Sequence, residues 1–191
     1  RGVASQPTFF DKRDYSRAME TIFYYQNTNL PIKYSRFLAL SNEDRESILK
    51  NQRNQKDFLI EIISLCFMPN HFHFLLKQLR DNGISKFMSN FTNSYTRYLN
   101  TKVDRTGPIF EGKFKSVRIE TQDQLLHVSR YIHLNPYTSF VVKSLKDLES
   151  YQYSSFPDYI GLINSNNYSK QVIMNDFKDE QKYKQFVFDQ A

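Results

Sequence analysis

The spacing of apolar residues divides the chain into alternating helices and strands. Residues 11–27 predict a helix, with Asp11 as its cap and Tyr15, Ala18, Ile22 and Tyr25 along one side. Ile32 to Leu40 predicts a strand, and Ser41-Asn42-Glu43-Asp44 opens a short polar helix through Lys50. Phe58 to Phe67 is a nearly continuous apolar run, the pattern of a buried strand. Met68-Pro69-Asn70 has turn chemistry, so this strand is expected to reverse into a second one and form a hairpin. Gly83 to Asn100 predicts the clearest helix, with Ile84, Phe87, Met88, Phe91, Tyr95 and Leu99 at helical spacing on a core-facing stripe. Thr106-Gly107-Pro108 breaks the chain, and Ile109 to Ile119 predicts an irregular hairpin or strand rich in Phe and Lys. A last long helix is expected from about Gln122 to Asn135, ended by Pro136.

The second strand of the hairpin carries the first chemistry. In Pro69-Asn70-His71-Phe72-His73-Phe74-Leu75 the side chains alternate faces, so His71 and His73 point one way while Phe72 and Phe74 enter the opposite layer. Two imidazoles on one strand face, roughly 7 Å apart by the strand rise, can share a divalent metal when a third ligand comes from elsewhere. The predicted helix 122–135 offers a second row, because His127, Tyr131 and Asn135 fall at i, i+4 and i+8. A phenol, with an ordinary pKa of about 10, is a weak nucleophile at neutral pH. A metal that draws charge from a phosphate oxygen makes phosphorus more electrophilic, and the same metal could take Asn135 as an oxygen ligand. Each of these residues alone has an ordinary structural reading; together they point to a metal-dependent site. His127 reads as a packing or solvent-facing side chain, His133 as structural, and Glu120 as a cap or dipole partner at the helix entrance.

Composition narrows the setting. The chain of 191 residues is 40% hydrophobic and 16% aromatic, with 17 Phe and 13 Tyr, which fits one globular domain with a small appendage. No run reaches the length of a membrane helix, and the first seven residues have no apolar signal core. One cysteine, Cys66, inside an apolar run leaves no disulfide framework and points to a reducing cytoplasm. The formal net charge of +6 permits a polyanionic partner. Residues 97–118 concentrate it in Arg97, Lys102, Arg105, Lys113, Lys115 and Arg118, against Asp104 and Glu111. Tyr95, Tyr98, Phe110 and Phe114 are interleaved there, as phosphate neutralisation and base stacking would need. A solvated basic face with its aromatics turned to the core fits that stretch equally well.

Three blocks of the chain resemble the REP-associated tyrosine transposases, within the single-tyrosine HUH transposases. They are Cys66-Phe67-Met68-Pro69-Asn70-His71-Phe72-His73-Phe74-Leu75-Leu76, Arg105-Thr106-Gly107-Pro108-Ile109-Phe110-Glu111-Gly112-Lys113-Phe114-Lys115-Ser116 and Arg130-Tyr131-Ile132-His133-Leu134-Asn135-Pro136. Weaker agreement continues through Tyr153-Ser154-Ser155-Phe156 and Tyr159-Ile160-Gly161.

The resemblance implies an α+β, ferredoxin-like (RRM-like) antiparallel sheet flanked by helices. It assigns residues 1–161 to a catalytic domain and leaves 162–191 as a small helical appendage. It implies that His71, His73 and Asn135 hold Mg²⁺ or Mn²⁺, that Tyr131 is the nucleophile, and that cleavage of single-stranded DNA leaves a covalent 5′-phosphotyrosine. Hairpin DNA is the implied partner, with Arg97, Lys102, Arg105, Lys113, Lys115 and Arg118 as candidate backbone contacts, in the cytoplasm at the nucleoid. Monomer and homodimer both stay open. Relatives usually begin with a central strand that runs into an Asn-Arg-Gly-Val-like segment, whereas this chain starts at Arg1-Gly2-Val3, so the first strand is expected to be missing from it. Two rival readings remain at this point: a domesticated hairpin DNA- or RNA-binding protein without catalysis, and a metal-dependent phosphodiester hydrolase that uses an activated water.

Overall fold

A computed structural model describes residues 1–55 and 57–190, with the side chains of 53–55 outside the description. In chain order the elements are α1 (Lys12–Tyr25), α2 (Tyr34–Phe37), α3 (Asn42–Gln55), β1 (Ile60–Met68), β2 (His71–Gln78), α4 (Gly83–Lys102), α5 (Gln122–Thr138), α6 (Leu145–Leu148), α7 (Phe156–Tyr159), α8 (Gln171–Met174) and α9 (Glu180–Phe188). The fold is α+β, with β1 and β2 paired as the expected antiparallel hairpin and flanked by helices. Among the described residues no helix is long and apolar enough to cross a membrane.

The chain forms two compact units, each assembled from separate stretches. One comprises Arg1–Phe10, Ile62–Lys77 and Glu111–Ala191; the other comprises Asp11–Glu61 and Gln78–Phe110.

In the first unit β1 is buried along nearly its whole length, as its apolar run requires. Its outer edge is closed by polar groups from the chain after α6. Ser155 N–H donates to the Leu65 carbonyl at 3.0 Å, while Leu65 N–H donates to Ser155 Oγ at 3.0 Å. The Tyr151 hydroxyl donates to the Phe67 carbonyl at 2.7 Å, and the Tyr159 hydroxyl to the Ile63 carbonyl at 2.9 Å. A buried edge strand needs such partners for its unpaired backbone groups. Ile63, Cys66, Met68 and Leu75 of the hairpin share one core with Ile132 and Leu134 of α5 and with Phe156 and Tyr159 of α7. Ile173, Tyr183 and Val187 join that core from α8 and α9, within the segment expected to be an appendage.

The second unit centres on α1 packed against α4. Asp11 caps α1 by accepting from Asp14 N–H at 3.0 Å, as the sequence suggests. Gly83 opens α4 where a Cβ would stand 2.3 Å from the Leu59 carbonyl oxygen, so only glycine fits this crossing. The strand expected over 32–40 is instead the helical turn α2. Tyr34 and Phe37 are both buried with stacked rings 5.8 Å apart, against Tyr24. Three residues apart, they share a face in a helix and would point to opposite faces in a strand.

Two further expectations are corrected. Pro136 lies inside α5 and does not end it. The helix continues to Thr138 because Ser139 N–H donates to the Asn135 carbonyl at 3.0 Å, and Val141 and Val142 N–H donate to the Pro136 carbonyl at 2.8 and 3.0 Å. Between α4 and α5 the chain forms no hairpin or strand: Ile109 is buried, but Lys113, Lys115, Val117 and Arg118 are all exposed, too many outward side chains for an alternating pattern.

Candidate active site

The turn Pro69-Asn70 and the period of β2 set the site. Phe72 and Phe74 stack with centroids 4.8 Å apart and meet the edge of Phe67, while His71 and His73 occupy the other face. The two imidazole rings stand nearly perpendicular, with centroids 4.8 Å apart.

Asn70 fixes the tautomer of His71. The Asn70 carboxamide nitrogen donates to the Ser5 carbonyl at 3.1 Å, which turns its oxygen toward His71 Nδ1 at 2.6 Å. A carboxamide oxygen only accepts, so Nδ1 carries the proton and the lone pair of His71 sits on Nε2. Burial lowers the pKa of His71, and it pushes that of His73 down to about 4 with help from the neighbouring His71. Both rings are neutral imidazoles at neutral pH, the form that binds metal. His73 Nε2 is buried without a hydrogen-bond partner. Such an orphan costs about 1–3 kcal/mol unless something engages it.

Helix α5 brings the tyrosine. Thr121 caps it by accepting from Gln124 N–H at 3.2 Å, so the cap is Thr121 and not Glu120. One face of the helix enters the core through Ile132, His133 and Leu134, which turns Tyr131 outward. Tyr131 is 57% exposed, and its ring meets the ring of His73 edge-on with centroids 5.4 Å apart. Asn135, one turn further, is buried; its carboxamide nitrogen donates to the Tyr131 carbonyl at 3.2 Å, which leaves the side-chain oxygen as the group open to a ligand.

The groups that could act as donors are two imidazole nitrogens on β2 and, one helical turn beyond Tyr131, a carboxamide oxygen. The described residues hold no cluster of three or more His, Cys, Asp or Glu side chains suited to a metal. An orphaned imidazole nitrogen beside a second neutral imidazole with a fixed tautomer fits a divalent ion.

The other two histidines have separate roles. His127 is exposed, and its Nδ1 meets Arg130 Nη2 at 2.6 Å. His133 is fully buried between the Tyr183 hydroxyl and Ser155 Oγ, both at 2.7 Å, and burial pushes its pKa down to about 3. Ser129 extends this network to Tyr183 at 2.6 Å. His133 is a structural pin, as its place on the helix suggests.

The six basic candidates are divided between the two units. Arg97, Lys102 and Arg105 belong to the second unit, and Lys113, Lys115 and Arg118 to the first. Lys102 Nζ is paired with Asp14 at 2.6 Å and Asp11 at 2.7 Å, and Arg105 donates to the Pro108 carbonyl at 3.0 Å. Of the interleaved aromatics, Tyr95 is buried and stacks toward Phe110, while Tyr98 donates to Asp14 at 2.8 Å. Phe114 is exposed. Asn70 was not singled out by sequence; a polar turn residue directly before a ligand-type histidine was the available signal.

Fold and site together define an α+β protein in which a strand-borne histidine pair faces a helix-borne tyrosine. The chain belongs to the IS200-like transposases, whose family model matches residues 30–135, more than half of its length and a stretch that contains His71, His73, Tyr131 and Asn135. Its activity is accordingly transposase-like and its partner DNA. No curated protein and no solved structure gives a significant match.

Proposed function

We propose that the protein cleaves single-stranded DNA beside hairpins and transfers the strand through a covalent 5′-phosphotyrosine. The observation that carries this reading is the approach of the Tyr131 ring to His73, which puts the one exposed phenol of α5 beside the histidine pair. Tyr131 Oη attacks phosphorus and forms the P–O(Tyr) bond as the P–O3′ bond breaks. The phenolic proton leaves to solvent, which reaches the exposed side chain, and the departing 3′ oxygen takes up a proton. A later 3′-hydroxyl reverses the exchange, so the phosphodiester is conserved and no nucleotide triphosphate is needed. His71, His73 and Asn135 would hold Mg²⁺ or Mn²⁺, whose contribution when bound is Lewis-acid polarisation of the phosphate. Asn70 keeps His71 presenting Nε2, and α5 holds Tyr131 on a rigid backbone. Arg97, Lys102, Arg105, Lys113, Lys115 and Arg118 would meet the DNA backbone. The DNA-rich cytoplasm is the place of action.

Incubation with labelled hairpin DNA from the flanks of its own gene, in Mg²⁺ or Mn²⁺, tests the reading. An SDS-resistant adduct that disappears with chelator and in Tyr131→Phe supports it. Cleavage that survives in Tyr131→Phe would make the protein a hydrolase instead.

A further inference from the structure

Three Asp, Glu, Lys or Arg side chains are buried among the described residues: Asp14, Arg130 and Asp158. Asp14 is matched by Lys102 Nζ at 2.6 Å, and Asp158 by Lys170 Nζ at 2.8 Å. Arg130 makes no ion pair among the described residues, and its Nε is buried without a hydrogen-bond partner. The centre of the Phe186 ring lies 4.3 Å from the guanidinium carbon, but a ring face repays only part of the hydration that burial removes. A cation held in this way is stabilised by an anion brought near it.

The guanidinium is too deep to meet that anion itself, and its two outer nitrogens are engaged: Nη1 with the Phe186 carbonyl at 3.5 Å, Nη2 with His127 Nδ1 at 2.6 Å. A guanidinium only donates, so His127 Nδ1 accepts and the imidazole proton sits on Nε2. His127 is exposed, and this N–H is the one polar hydrogen that its ring has to give. Hydrogen bonds in a chain polarise one another, so the charge behind Nδ1 strengthens the donor at Nε2. The pair thus carries part of a buried charge to the surface as a directed N–H.

That N–H emerges beside Tyr131. His127 and Tyr131 are four residues apart on α5 and both exposed, neighbours on one helix face with Cβ atoms roughly 5–6 Å apart. Asn135 lies one turn on the C-terminal side of Tyr131, His127 one turn on the N-terminal side. We infer that His127 donates from Nε2 to a non-bridging oxygen of the phosphate that Tyr131 attacks, and that Arg130 is the positioning residue behind it. With Nδ1 taken by Arg130 and Nε2 protonated, the ring has no lone pair for the phenolic proton, so its part is that of a donor and not of a general base. The inference rests on the strand-cleavage reading above and adds a residue to it.

The test is the single-turnover rate of adduct formation on labelled hairpin DNA from the flanks of the protein's own gene, at saturating DNA and Mn²⁺. His127→Ala should slow it at least about tenfold, as loss of a donor to a charged oxygen does. His127→Gln keeps a side-chain N–H and cannot act as a base, so it should restore most of the rate; a rate as low as that of His127→Ala would overturn the donor role. Arg130→Met should slow the wild type but change the His127→Ala protein by no more than about twofold, because Arg130 acts through the imidazole. Independent, multiplying losses would reduce Arg130 to a packing residue on Phe186 and overturn its positioning role. A wild-type rate in His127→Ala would overturn the whole inference. Absence of any adduct in the wild type would instead refute the cleavage reading. The phosphate contact is then decided by fluorescence anisotropy of the same DNA in EDTA, with Tyr131→Phe as the background. There His127→Ala should bind about tenfold more weakly, and equal affinity would sink the contact as well.

Discussion

Asn70 holds His71 in a single tautomer: its side-chain oxygen lies 2.6 Å from Nδ1, while its nitrogen is anchored on the Ser5 carbonyl. The pair joins the turn to the site, since the residue that reverses the hairpin also decides which imidazole nitrogen is offered.

Asn70→Ala removes that constraint without touching a ligand atom. The concentration of Mn²⁺ giving half-maximal adduct should rise about tenfold, with the rate at saturating metal largely retained, in line with outer partners of metal-binding histidines. A lost saturated rate with unchanged metal dependence would refute the role.

Tyr131→Phe should abolish adduct formation while shifting unfolding stability by no more than about 0.5 kcal/mol, because an exposed hydroxyl contributes little to packing. Urea titrations of the two proteins give the comparison.

Ile173 is fully buried in the core that α8 and α9 share with α5 and the hairpin. Ile173→Ala is expected to cost about 2–5 kcal/mol in urea unfolding. A cost under about 0.5 kcal/mol would mean that residues 162–190 sit beside the core without supporting it.

Asp158 is nearly buried, and burial alone would raise its pKa; Lys170 Nζ at 2.8 Å and the Ser165 amide and hydroxyl at 2.8 and 2.7 Å prevail and hold it below the ordinary 3.8. A carboxylate depressed in the folded state stabilises the fold above its unfolded pKa, and the contribution fades as pH falls through the folded value. Lys170→Met leaves that charge unmatched, so stability at pH 7 should drop by about 3 kcal/mol. With burial opposed by the Ser165 bonds alone, acid unfolding should begin at higher pH than in the wild type. Circular dichroism across pH 3–7 would record both.

The long periodic elements were legible in the sequence. Asp11 announces α1, the stripe from Ile84 to Leu99 announces α4, and the apolar run ending at Met68 with Pro69-Asn70 announces the hairpin. His71, His73 and Tyr131 come together as expected because strand alternation and helix period are local rules that survive packing. What escaped depends on tertiary partners. Tyr34 and Phe37 choose a helical turn because Tyr24 offers both a ring to pack on. Pro136 stays helical because later N–H groups reach the carbonyls around it.

The hydroxyls of Tyr151, Ser155 and Tyr159 that close the outer edge of β1 also bear on assembly. Along Ile63–Phe67 the strand has few backbone groups left to offer a neighbour, so a second copy cannot extend the sheet from that side by strand addition. Association between copies over this edge has to be built from side chains, whose strength can be tuned residue by residue without disturbing the hairpin that carries the histidines.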